Sequence, residues 1–69
     1  MKERVFKFIK QFISDHGYAP TVRDISSGVG KCSPSTVLGY LQALKLEGYI
    51  DYKPQMPRTI RILEDLEAE

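Results

Sequence analysis

Ser33, Ser35 and Thr36 place three hydroxyls within four residues, with Leu38, Gly39 and Gln42 further along and Lys31 just upstream. The chemistry open to this set is non-covalent. Hydroxyls and an amide exchange hydrogen bonds with phosphate oxygens and base edges, and a lysine neutralises a phosphate. Small side chains allow the close approach that entry into a DNA major groove demands. The serines and lysines lack any pattern that would make one a nucleophile and another its base, so no enzymatic activity and no cofactor are expected. The single histidine, His16, and the single cysteine, Cys32, supply no pair at zinc spacing.

The element that must carry these residues is Ser33–Gly48, SPSTVLGYLQALKLEG. Ser33 can accept a hydrogen bond from a free N–H of the first turn, Pro34 follows where its missing N–H costs nothing, and Gly48 suits a left-handed terminator. Val37, Leu41 and Leu44 form an apolar stripe, while Ser35, Leu38, Gly39, Gln42 and Lys45 lie opposite. A plain amphipathic core helix would show the same stripe, and the rest of the chain decides between the two.

Sixty-nine residues make one small domain. The net charge of +1 hides an asymmetry: residues 1–63 hold all ten cations and five acids, giving +5, and the last six residues carry −4. A basic body with an acidic tail suits a nucleic-acid binder, although such a tail can simply solubilise. A lone cysteine cannot form an internal disulfide, which suits a reducing, cytoplasmic setting. The longest apolar candidate, Val5 to Ile13, is interrupted by Lys7, Lys10 and Gln11, so no membrane partner is expected.

Residues 2–16 predict a first helix with Val5, Ile9, Phe12 and Ile13 inward and Phe6 and Phe8 at the margins. His16 and Gly17 close it. Tyr18-Ala19-Pro20 is an extended link, and Thr21-Val22-Arg23-Asp24 has the form of a capping box with Asp for the usual Glu. A short second helix, Val22–Val29, follows; Ser26, Ser27 and Gly28 make it intrinsically weak. Gly30-Lys31-Cys32 then turns into Ser33, which completes a helix-turn-helix. Cys32, beside Lys31 and a helix start, could be a redox-sensitive thiol; a small residue filling the elbow is the preferred reading. Beyond Gly48, Tyr49–Lys53 and Arg58–Leu63 read as strands around Pro54-Gln55-Met56-Pro57. The expected fold is mainly α with a small β-hairpin: a winged helix-turn-helix of three helices and a two-stranded antiparallel wing, over residues 1–63. Residues 64–69 form an acidic tail expected to be flexible.

The run GYAPTVRDISSGVGKCSPSTVLGYLQALKLEGYIDYKPQMPRTIRIL, Gly17 to Leu63, resembles the N-terminal DNA-binding domain of LexA-type repressors. The marks are G-x-x-P-[ST]-x-[RA]-[DE]-I before the second helix, S-[PS]-[NS]-[ST/A] opening the third, and L-x-x-L-x-x-[KE]-G-x-I into the wing. The resemblance implies recognition of double-stranded operator DNA by a transcriptional repressor, typically with a second copy on an inverted repeat. It assigns base reading to Ser33, Ser35, Thr36, Leu38 and Gly39, and Gln42 on the same outer side joins them. Arg23, Lys31, Lys53 and Arg58 are the phosphate candidates.

Leu38 departs from the polar residue of the family; it can touch a thymine methyl or face a protein. Gly39 fits either close approach to DNA or a crowded packing contact. LexA repressors continue into a self-cleaving serine–lysine domain that also dimerises them, and these residues supply none. The expectation is therefore a standalone small regulator or an isolated DNA-binding domain. The rival is a protein-interaction winged helix that modulates another regulator.

Overall fold

The computed structural model describes residues 2–30, 32–53, 56 and 58–65. The elements run α1 (Lys2–His16), α2 (Val22–Val29), α3 (Pro34–Leu46), β1 (Ile50–Asp51) and β2 (Arg61–Ile62). The two strands pair antiparallel, Ile50 opposite Ile62 and Asp51 opposite Arg61. This is the three-helix, one-hairpin architecture expected. Lys31, the residues Pro54, Gln55 and Pro57 of the proposed turn, and tail residues 66–69 lie outside the described residues.

Local chemistry sets the helix ends. Thr21 accepts from the Asp24 N–H at 3.1 Å, and the Asp24 carboxylate accepts from the Thr21 N–H at 3.0 Å, so the capping box forms with aspartate. The Ser33 hydroxyl accepts from the Thr36 N–H at 3.2 Å, with Pro34 opening α3. At the far end Gly48 takes φ 88°, the Gly48 N–H donates to the Lys45 carbonyl at 3.1 Å, and the Tyr49 N–H donates to the Leu44 carbonyl at 3.0 Å. That pair of bonds is the Schellman termination, and it turns the chain directly into β1.

All three helices pack against one another, and β1 packs on α3. The stripe Val37, Leu41 and Leu44 of α3 is buried, as are Ile25 of α2 and Ile50 of β1. On α1 the inward face differs from expectation. Phe6 is fully buried with Val5 and Ile9, whereas Phe12 and Ile13 are only half-buried. The reason lies in the neighbours. Tyr49, delivered by the end of α3, meets the Phe6 ring edge-on at 6.2 Å and draws it into the core. Phe12 instead joins Phe8, His16 and Tyr18 in a surface row of rings, at 5.8, 4.2 and 5.7 Å respectively.

The strands are also shorter than the alternation suggested, two residues each instead of Tyr49–Lys53 and Arg58–Leu63. Between them the Thr59 side chain and one backbone turn bond stand in place of ladder bonds. The Thr59 hydroxyl accepts from the Lys53 N–H at 2.9 Å and reaches the Met56 carbonyl at 2.9 Å, and the Met56 N–H donates to the Lys53 carbonyl at 3.1 Å. At the chain end, Lys10 donates to both Asp65 oxygens at 3.0 and 2.8 Å. The Leu63 and Glu64 N–H groups both reach the Tyr49 carbonyl.

Candidate nucleic-acid interface

The outward side of α3 begins at its cap. Ser33 and Thr36 hydroxyls lie 3.0 Å apart, so one donates to the other. Whichever does, one hydroxyl proton is left for an acceptor outside the chain. Ser33 is thus first a cap, and its replacement by alanine should cost about 1 kcal/mol of stability.

Ser35, Gly39 and Gln42 follow on one face of the helix, and all three are exposed. The Ser35 and Gln42 side chains have no hydrogen-bond partner among the described residues. A Cβ at Gly39 would meet nothing within 4 Å. That removes the crowded-packing explanation for a mid-helix glycine, which costs about 1 kcal/mol relative to alanine.

Beside this face a groove of about 520 Å³ runs between α3, the start of α2 and the hairpin connection. It brings together Arg23, Leu38, Gln42, Lys53 and Arg58 from the candidate set, and Met56 lines it as well. Ser33 at the cap, and Ser35, Thr36 and Gly39 on α3, stand outside its lining. Leu38 is 40% exposed and Met56 56%. Arg23 and Lys53 are exposed, and neither makes an ion pair among the described residues. Both are therefore available as docking charges.

Arg58 is placed differently. Its guanidinium donates to the Ala19 carbonyl at 3.0 Å, lies 3.4 Å from an Asp24 oxygen and covers the Tyr18 ring at 4.7 Å. Asp24 is held below the usual carboxylate range by the backbone and side-chain hydrogen bonds of Thr21, and then by the Arg58 charge. Local sequence gives no hint of this, because the partners lie more than thirty residues away.

Lys45 also ties the hairpin to the helices, through partners close to it in sequence. It donates to the Tyr52 carbonyl at 3.0 Å, stands 3.6 Å from Asp51 and lies over the Tyr52 ring at 5.0 Å. From the outer flank of α3 it holds the base of the hairpin. Ser26 donates to the Cys32 carbonyl across the turn between α2 and α3, and Cys32 packs half-buried against the core.

Three packed helices, a glycine-bearing turn between the second and third, an open third-helix face and a hairpin alongside define a winged helix-turn-helix. The model of the LexA DNA binding domain matches residues 2–59, and the chain belongs to that family. It is 38% identical over 68 residues to the LexA repressor of Carboxydothermus hydrogenoformans, and 45% identical over 69 residues to that of Geobacillus thermodenitrificans. Each alignment takes in 99% of this chain and 33% of the relative. The LexA repressor of Staphylococcus aureus is 42% identical over 64 residues, covering 93% of this chain and 31% of the relative. The chain thus spans about a third of the length of these relatives.

Proposed function

We propose that this domain binds double-stranded operator DNA and serves a LexA-like transcriptional repressor in the cytoplasm. The first turns of α3 enter the major groove, with Ser35, Thr36, Leu38, Gly39 and Gln42 toward base edges and Ser33 at the rim. Arg23, Lys31 and Lys53 grip phosphates on either side. Two copies occupy an inverted repeat, each on one half-site. The observation that carries this reading is the open stripe Ser35–Gly39–Gln42, whose polar groups have no internal partner among the described residues, flanked by the unpaired Arg23 and Lys53.

Selecting duplexes from a random pool and titrating the winner across a salt series tests it. Binding must weaken steeply as salt rises. Ser35→Ala and Thr36→Ala should each cost about 1–3 kcal/mol of discrimination against random duplex, the value of a lost base contact. If base preference survives both changes, α3 is not the reader. A protein-binding role has one observation in its favour, the exposed Leu38 and Met56 that both line the groove. A pool that yields no preferred duplex, or affinity indifferent to salt, would favour that role.

A further inference from the structure

Arg58 has φ 60°, and no other described residue apart from glycine has a positive φ. The backbone there is held in a conformation disfavoured by any side chain with a Cβ. Glycine would suit it better, so the arginine side chain must contribute something that glycine cannot.

The three contacts of its guanidinium all fall on one place in the fold, the link Tyr18–Ala19 and the first turn of α2. Asp24 is at once the ion-pair partner and the closing half of the α2 capping box. The hairpin connection is therefore strapped to the helix-turn-helix by one planar group. On the other flank Lys45 holds Tyr52 and Asp51. Between the two straps sits Lys53, whose N–H donates to the Thr59 hydroxyl and which lines the groove.

We propose that Arg58 is a positioning residue for DNA binding: it fixes the pose of the wing against α3, and with it the place of Lys53, and does not itself contact phosphate. The proposal rests on the DNA-binding reading above. A phosphate contact needs a positive charge in reach, which lysine would keep. The strap needs a long side chain whose Nη1 reaches both the Ala19 carbonyl and the Asp24 carboxylate while its planar cation covers the Tyr18 ring; the compact ammonium of lysine has no such plane to lay on the ring.

Arg58→Lys, Arg58→Gly and Asp24→Asn separate the two roles, with Lys53→Gln as the reference for a true phosphate contact. In the free protein, Arg58→Lys and Asp24→Asn should speed hydrogen exchange at the Lys53 and Met56 amides while leaving the α1 and α3 amides protected. On the duplex selected from a random pool, Arg58→Lys should lose about tenfold in affinity, the scale of one hydrogen bond to a charged group, with its salt slope unchanged. Asp24→Asn should weaken binding as well, although removing an acid would by charge alone tighten it. Arg58→Gly relieves the backbone and should still lose specific affinity. Wild-type exchange and affinity in Arg58→Lys, with a salt slope flattened by about one unit in Arg58→Gly as in Lys53→Gln, would overturn the proposal. If the unaltered protein selects no duplex, the DNA reading has failed, and unchanged exchange at Lys53 and Met56 would then overturn the strap on its own.

Discussion

The ring of Phe8 on α1 occupies the space where a Cβ at Gly28 on α2 would stand. Gly28 is helical, so its usual effect is to weaken the helix by about 1 kcal/mol relative to alanine. Here the missing side chain is what lets α1 and α2 close.

Gly28→Ala should therefore destabilise the domain. The gain in helix propensity, about 1 kcal/mol, is outweighed by overpacking of about 1–3 kcal/mol as the Phe8 ring is displaced. Thermal unfolding should show a lower midpoint, and the same change combined with Phe8→Ala should become neutral or stabilising. A higher midpoint in the Gly28→Ala single variant would contradict the close approach.

Gly39→Ala should do the reverse. Open space surrounds a Cβ there, so the folded domain should gain about 1 kcal/mol. Affinity for the selected duplex should nevertheless fall, because the added methyl meets the groove. A more stable variant that binds as well as before would remove Gly39 from the interface.

Leu38 offers no hydrogen bond, so any reading it does is of shape and apolar contact. Replacing single thymines of the selected duplex by uracil deletes only a methyl group. One such position should weaken binding, and the weakening should vanish in Leu38→Ala. Uniform tolerance of uracil would turn Leu38 toward a protein partner.

Arg23 and Lys53 should act as charges only. Neutralising either should weaken selected and random duplexes alike and flatten the salt slope by about one unit. Lys31 is expected to follow the same rule. A change in base preference at Arg23→Gln or Lys53→Gln would mark a direct base contact instead.

Acid should loosen the strap and the α2 cap together. The folded-state pKa of Asp24 is depressed, so the stability it contributes is present above its unfolded value, about 3.9, and is lost as pH falls through the folded value. Denaturant midpoints followed with pH should show this loss in the wild type and not in Asp24→Asn. Parallel acid limbs in the two proteins would show that Asp24 does not carry it.

What the sequence determined by itself was whatever is settled within a few residues of chain. The bounds of α2 and α3 were legible because Thr21 with Asp24, Ser33 with Pro34, and Gly48 act on backbone groups at most four residues away. The outer face of α3 followed from helical spacing, and family membership from motifs strung along those same caps.

The tertiary structure alone decided matters that depend on a partner distant in sequence. Phe6 and Phe12 lie on adjoining flanks of α1, and spacing cannot rank them; Tyr49, forty-three residues beyond Phe6, makes the choice by packing on Phe6. The contacts of Arg58 were not legible because its polar partners, Ala19 and Asp24, come close only after the hairpin folds back. The same holds for Gly28, which reads as a weak point in a helix until the ring of Phe8 fills its side. A residue's type and spacing limit what it can do; which neighbour it meets is fixed by how the helices close on one another, and that closing is a property of the whole core.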